Sequence, residues 1–591
     1  MRTIAHVTHE AIQKVGGIGA VLEGLLTSQP YQAQGSRTVL IGPFLGGHAG
    51  GEKQLGPSGE VLYSSVDGLI KHPVSEALDR VRRQFHVGLV HGHRVFTNPH
   101  SGARVSPEVV LVDVSHMDPQ QVNTFKWHLW KGYGIDSSRY EHSWEYEQYV
   151  RLAQPALAVL RALGAVGADR ECVILAHEFM GLPTALAARL DPSGAFRTVF
   201  YAHEVSSMRR IVEDHPGHDL MFYNVLSSAL SAGQYVEDVF GPQHQYPRHA
   251  LVRASARCDK IFAVGDHVAR ELRFMGPQFA DADIDITYNG IPVEQITLEQ
   301  KRASQARLKD YAETLLGDRP DYVFTHVARM VTSKGMWRDL SVLEQMEPAF
   351  RRQGKAAVLF VLSTEVPARE PKDIRFMERW WHWPVAHREV EPDLSDGEAL
   401  FYQGVQEFNA RSRQIKALYV NQFGWERLVC GNRMPADMTL ADIRRGTDVE
   451  FGQSIYEPFG IAQLEPLTFG AVCVLSDVCG CAGLVKGVTG GQQVPNVIIA
   501  NYCRLDDPGA WSRQALLNMR REQRHEFECR VAAEVADRLL QLLPADDRSA
   551  AALLESGYAL AQKMSWEVVA RDHVLPGIEA ACRRRPRVPV A

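Results

Sequence analysis

Two carboxylates, Glu457 and Glu465, stand eight positions apart in Tyr456-Glu457-Pro458-Phe459-Gly460-Ile461-Ala462-Gln463-Leu464-Glu465. On one continuous helix they would lie about 80° apart. Pro458 and Gly460 instead favour a turn after the SIY strand with a helix beginning near Ile461, which puts Glu457 on the loop and Glu465 in an early helical turn. A carboxylate accepts two hydroxyl hydrogen bonds, so such a pair at the carboxyl end of a strand suits a polyhydroxylated ligand. A solvated acidic pair stabilising a helix N-terminus has the same spacing, and spacing alone favours it.

Lys14-Val15-Gly16-Gly17-Ile18-Gly19 falls between a strand and a helix. Glycines there let backbone N–H groups approach an anion and the helix start adds partial positive charge, which suits a phosphate or diphosphate. A tight turn needing glycine for steric reasons alone fits the local spacing equally well. The segment matches neither GxGxxG nor GxxxxGK[ST], which counts against nicotinamide and ATPase chemistry. His91-Gly92-His93, His215-Pro216-Gly217-His218, His244 and His249 form no HExxH or other ligand set, and Cys473, Cys479 and Cys481 lack paired zinc spacing, so no metal is expected. The nine cysteines read as reduced and mostly buried.

The elements that position these residues alternate. RTIAHVT, KVGGIG, GAVLEGLLTS and SRTVLIGPF read as strand, glycine turn, amphipathic helix and strand. FHVGLVHGHRVF and EVVLVDVSH read as further strands. A long helix follows, with Leu152, Ala156, Val159, Leu160 and Leu163 at helical spacing, and then strands at CVILAHE, RTVFYAHE, KIFAVGD and DITYNGI. The pattern turns polar near residue 300, and YVFTHVAR opens a second series with strands at AAVLFVLST, EFGQSIY, AVCVLSD and NVIIAN. Both halves therefore read as doubly wound parallel α/β domains. Residues 366–435, rich in Trp, Arg and Pro, read as an insertion interrupting the second series.

A chain of 591 residues exceeds what one hydrophobic core supports, so at least two domains are required. The 64 Lys and Arg against 70 Asp and Glu leave a net charge of −6, which argues against a general grip on nucleic acid or anionic membrane. The start MRTIAHVTHE has no apolar signal core and no run reaches membrane-spanning length, so a cytoplasmic protein is expected.

THEAIQKVGGIGAVLEGL, ARMVTSKG and YEPFGIAQLEPLTFG occur in the order and approximate separations of the retaining glycosyltransferases of the glycogen and starch synthase group, which the chain resembles in pieces from residue 5 to residue 485. KVGGI, HEFMGLP and RHALVRASARCDKIFAV with its later YNGI look more like the UDP-glucose-dependent glycogen synthases than the ADP-glucose-dependent enzymes. SWEVVARDHVLPGI resembles the closing helix that crosses back to the first domain. The resemblance implies the GT-B architecture, two Rossmann-like domains facing each other with the nucleotide-sugar site between them. It gives an acceptor-side domain over 1–300, a nucleotide-sugar domain over 301–560 with the 366–435 insertion, and a crossing-back helix over 561–591. The implied reaction is glucosyl transfer from a nucleoside-diphosphate glucose, UDP-glucose favoured and ADP-glucose admitted, to an α-glucan. Another acceptor, or an idle glucan-associated scaffold, is the alternative. A homo-oligomer is compatible, and no nucleic acid, membrane or cofactor is implied.

Residue by residue, the resemblance places Arg329 and Lys334 on the diphosphate, where fixed cations stabilise the charge that grows on the leaving group. It sets Gly16 and Gly17 facing the diphosphate, with Lys14 beside phosphate or sugar. Glu457 lies against the transferred glucose, Glu465 on the ribose hydroxyls, His203 beside the anomeric carbon and His177 elsewhere in the cleft. SDVCGCAGL, with Gly480, stands at the glycine loop near phosphate and sugar. Transfer proceeds through an oxocarbenium-like transition state, with Glu457 orienting and electrostatic rather than a double-displacement nucleophile. Arg520, Arg521, Arg524 and Arg530 read as a solvated basic helix face rather than a regulatory helix. A sugar-nucleotide epimerase or a phosphorylase of related fold is disfavoured by the glycine turn and the spaced glutamates together.

Overall fold

A computed structural model of the protein describes residues 2–12, 16–45, 51–56, 58–70, 73–167, 169–366, 369–388 and 391–584. The chain divides into two compact units, one of 1–208, 229–290 and 566–591, the other of 209–228 and 291–565.

In the first unit the strands are β1 (Arg2–Val7), β2 (Arg37–Pro43), β3 (Glu60–Ser64), β4 (Leu69–Ile70), β5 (Gly88–His93), β6 (Phe96–Thr97), β7 (Arg104–Val105), β8 (Glu108–Asp113), β9 (Glu171–His177), β10 (Phe196–Ala202), β11 (Lys260–Ala263) and β12 (Ile284–Ile286). Ten of them form one sheet in the order β12-β11-β10-β9-β1-β2-β8-β5-β3-β4, while β6 and β7 pair as a hairpin. From β12 to β8 the pairings are parallel, and β5, β3 and β4 extend the sheet antiparallel. The parallel strands are continuous apolar runs, as expected for a sheet covered on both faces. The closing segment after Ser565 returns to this unit. Its Trp566 packs so tightly on the helix Gly17–Thr27 that a Cβ on Gly24 would stand 2.1 Å from the indole nitrogen.

The second unit carries β13 (Tyr322–Val327), β14 (Ala357–Leu362), β15 (Ile415–Val420), β16 (Val449–Gly452), β17 (Val472–Ser476) and β18 (Val497–Ala500). All pairings are parallel, in the order β15-β14-β13-β16-β17-β18. Counted within the unit this is 3-2-1-4-5-6, the doubly wound nucleotide-binding order. Side-chain alternation splits β13, β14 and β15 between two cores: Phe324, Leu359, Val361, Ala417 and Tyr419 join one cluster, and Val323, Val358, Phe360, Leu418 and Val420 the other. The polar helix near residue 300 spans Leu298–Leu316, started by a Thr297–Gln300 capping box and stopped by left-handed Gly317. The fold is thus α/β with two Rossmann-like units.

Three details differ from the sequence reading. Residues 366–435 are more than an interruption: they supply β15, which pairs with β14, and they bury Trp383 and Trp425 in the core. Residues 209–228 belong to the second unit, although sheet strands of the first lie on either side in sequence. Asp219 is one tie, its carboxylate taking two hydrogen bonds of 2.9 and 2.7 Å from the buried guanidinium of Arg338. His215 to the Leu517 carbonyl, Asn224 to the Cys503 carbonyl and Arg513 to the Ser228 carbonyl are others. Arg524, expected on a solvated face, is buried: it lies over the Trp337 ring, pairs with Glu528 and donates to the Pro216 carbonyl.

Candidate functional site

The second unit gathers four of the expected residues at the carboxyl ends of β13 and β16, the neighbouring strands at which the sheet order reverses. Such a switch point leaves a crevice beyond the strand ends. The chain leaves β13 through exposed Arg329 and turns at Thr332–Lys334 into Gly335, whose φ of 61° is left-handed. A Cβ on Gly335 would also stand 2.6 Å from the Gln453 carbonyl oxygen, so the position requires glycine. The Ser333 carbonyl accepts from Ile455 N–H at 2.8 Å and Tyr456 N–H at 3.3 Å, tying this turn to the loop after β16. Across that tie the Lys334 ammonium donates to the Glu457 carboxylate. Arg329 forms no ion pair among the described residues and is left pointing its charge at solvent.

Glu465 opens the short helix Glu465–Phe469, eight residues beyond Glu457 as the spacing required. Its carboxylate is one-third exposed and is held at 3.0 Å by Arg444, which also binds Glu450 at 3.1 Å and the Ala462 carbonyl. Burial raises the Glu450 carboxyl while Arg444 opposes the rise. Gly480 begins the helix Gly480–Thr489, and its N–H donates to the Glu457 carbonyl at 3.1 Å. A Cβ there would lie 2.0 Å from the Pro458 carbonyl oxygen, so close approach of two backbones, rather than an open amide, explains the glycine. Cys479 and Cys481 are buried beside Gly452 and Gln463, and burial raises the Cys481 thiol far above its ordinary range.

In the first unit Lys14 lies outside the described residues. Gly16 and Gly19 at the start of the helix Gly17–Thr27 donate their N–H groups, at 2.9 and 2.8 Å, to the buried carboxylate of Glu10. The anion at this helix start is therefore one of the protein's own side chains. No expectation included Glu10, and its nearest sequence signal is a position just ahead of the glycine turn.

His177 and His203, assigned to different cleft positions by the resemblance, lie together with a third histidine. His6 on β1, His177 at the end of β9 and His203 just past β10 form a row on three adjacent parallel strands. His177 is two residues beyond the register partner of His6, and His203 two beyond that of His177, so all three point from one face in steps toward the strand ends. The nitrogen contacts are 2.9 Å from His6 Nδ1 to His177 Nε2 and 2.9 Å from His177 Nδ1 to His203 Nε2. Burial lowers the imidazoles of His6 and His203 to about 3 and that of His177 as well, so all three are neutral near pH 7. Glu178, next in the chain, has a φ of 57°, uncommon for a side chain of its size, and its carboxylate accepts from Glu204 N–H at 2.7 Å. Burial, with Glu204 nearby, raises that carboxyl to about 8.

Among the described residues no three His, Cys, Asp or Glu side chains are grouped to hold a metal ion, and no helix is long and apolar enough to cross a membrane. No protein-family model matches the chain, and no curated protein is found similar to it in sequence. Solved structures share its fold. The catalytic domain of starch synthase IV from Arabidopsis thaliana, bound to ADP and acarbose, is 14% identical with a TM-score of 0.50, over 98% of this chain and 99% of that one. The sucrose-phosphate synthase from Thermosynechococcus elongatus is 12% identical with a TM-score of 0.51, over 99% of this chain and 100% of that one.

Proposed function

We propose that the protein is a retaining glycosyltransferase that moves glucose from a nucleoside-diphosphate glucose, UDP-glucose in preference to ADP-glucose, to an α-glucan. The observation that carries this reading is the placement of Arg329, Lys334 and Glu457 on the loops after β13 and β16, at the switch point of a 3-2-1-4-5-6 sheet. As the glycosidic bond to phosphate lengthens, negative charge grows on the diphosphate and positive charge on the sugar. Arg329 and Lys334 stabilise the first, and the Glu457 carboxylate, which fixes Lys334, orients the sugar and stabilises the second. Glu465, steadied by Arg444, takes the ribose hydroxyls, and His203 faces the sugar. The fold shared with a starch synthase and a sucrose-phosphate synthase is compatible with this chemistry, and the sequence resemblance supports the α-glucan acceptor and the uracil base.

The test offers UDP-glucose and ADP-glucose separately, each alone, with glycogen or with a small sugar acceptor, and follows nucleoside diphosphate release and the anomeric configuration of the product. Release from UDP-glucose only with glycogen, giving an α-linked product, is expected. Release with the small sugar alone replaces the acceptor, and release from neither donor under any condition overturns the reading.

A further inference from the structure

The histidine row continues inward. His6 Nε2 lies 2.9 Å from the Tyr31 hydroxyl, on the helix Gln29–Ala33, and that hydroxyl lies 3.3 Å from Thr38 Oγ1 on β2. Thr38, Tyr31, His6, His177 and His203 are thus joined end to end. Tyr31, His6 and His177 are buried, and the two end members, Thr38 and His203, are partly exposed. The rings lie nearly parallel: His6 and His177 have centroids 5.2 Å apart at 22°, His177 and His203 5.1 Å apart at 9°.

A neutral imidazole has one N–H and one bare nitrogen. Each contact between two such rings uses one of each, so a direction chosen at one end of the row is passed unchanged to the other. At the inner end the partner is a phenol, which is a better donor than an imidazole N–H, while a bare imidazole nitrogen is a better acceptor than a phenol oxygen. Tyr31 therefore donates to His6 Nε2, with the Thr38 hydroxyl donating to the Tyr31 oxygen. His6 then carries its proton on Nδ1 and donates to His177 Nε2, and His177 does the same to His203 Nε2. His203 is left with its proton on Nδ1, directed out of the row. Reversing this requires every proton in the row to shift together.

We propose that Tyr31, His6 and His177 are positioning residues that lock His203 as the neutral Nδ1–H tautomer, so that it presents a fixed hydrogen-bond donor to a sugar oxygen and not a base. The tautomer stands on the geometry of this unit alone; its use in transfer rests on the glycosyltransferase reading above. Burial, which lowers all three imidazoles, keeps them from taking the second proton that would erase the direction. The ionisable neighbours are His9, which opposes a second proton on His177 and His203, Glu178, which accepts from the His203 backbone, and Tyr201, whose ring lies 5.2 Å from that of His177 and 4.5 Å from that of His203 and whose phenol burial keeps protonated. None interrupts the row.

The test is nitrogen NMR of the full chain labelled with 15N-histidine, with His203→Gln used only to assign the His203 signals. The expected result is a protonated Nδ1 and a bare Nε2 on His203, constant between about pH 5 and 8, the interval in which an ordinary histidine changes charge. Tyr31→Phe, which keeps the ring and removes the terminal donor, is expected to mix the two tautomers. It is also expected to lower kcat for glucosyl transfer about tenfold, the scale on which a histidine's outer partners act, with KM and the thermal midpoint little changed. An Nε2–H tautomer, titration within that interval, or an unaltered tautomer in Tyr31→Phe overturns the proposal. The expected tautomer in a protein that transfers from no donor overturns the glycosyltransferase reading and leaves the tautomer lock standing.

Discussion

Lys334 and Glu457 hold each other across two loops, so the cation is in place without reorganisation when charge develops near it. Lys334→Ala is expected to lower kcat about 10²- to 10³-fold, as loss of one preorganised donor does, with little change in thermal midpoint. Steady-state kinetics beside thermal unfolding checks this, and equal loss in both assigns the pair to folding alone. Glu178 makes a pH signature at the same scale. Its carboxyl is raised to about 8 in the folded chain against about 4.3 when unfolded, so the folded state binds the extra proton between those values. Its contribution is complete below about pH 4.3 and is lost as pH rises through about 8. Wild type is therefore expected to lose stability relative to Glu178→Gln over that interval, as read by denaturant unfolding at several pH values, and parallel curves would refute the shift. Sequence reasoning found His177 and His203 but missed His6, although Ala5-His6, Ala176-His177 and Ala202-His203 repeat one dipeptide at three strand ends. Glu10 was not legible, because a glycine turn before a helix signals an anion without saying whether a ligand or a side chain supplies it.

Among the elements, the helix Gly480–Thr489 carries a natural pair of controls. Gly480→Ala drives a Cβ to 2.0 Å from the Pro458 carbonyl, whereas a Cβ on Gly487 meets nothing within 4 Å. Gly480→Ala is expected to destabilise and to disturb the Glu457 loop, while Gly487→Ala stabilises by up to about 1 kcal/mol through helix propensity. Differential scanning calorimetry of both variants decides it, and a neutral Gly480→Ala would show that the loop yields. The alternating strands were readable in the sequence because parallel strands covered on both faces are unbroken apolar runs. IKALYV in β15 escaped because it sits at the sheet edge behind a Trp- and Arg-rich stretch. Trp383 and Trp425 of that stretch, read as an insertion, are core in the folded unit, with Trp383 donating to Asn421 Oδ1 at 2.8 Å, while Phe376 and Trp380 are exposed.

On the scale of the whole molecule, Arg338 is the most demanding residue of the second unit: fully buried, bonded to Asp219 and Glu528, and stacked 3.8 Å over the Tyr502 ring. Arg338→Met leaves the Asp219 carboxylate without its cation and Glu528 with Arg524 alone, and is expected to cost about 3–5 kcal/mol, readable as a lowered denaturation midpoint; a smaller change than about 1 kcal/mol would mean that Arg524 neutralises both. The two-domain division was legible from length and from the polar stretch near residue 300. The placement of residues 209–228 was not, since it depends on contacts spanning more than a hundred positions, the Asp219–Arg338 pair among them.

That placement also decides how the protein can be dissected. The chain passes from one unit to the other after Met208, Ser228, Gly290 and Ser565, so no single cut of the gene releases either unit whole. A polypeptide of residues 291–565 would keep the Arg338 guanidinium with Glu528 and lose Asp219, the other carboxylate that pairs with it, and is expected to be recovered folded only when a peptide carrying the excised helix is supplied in trans.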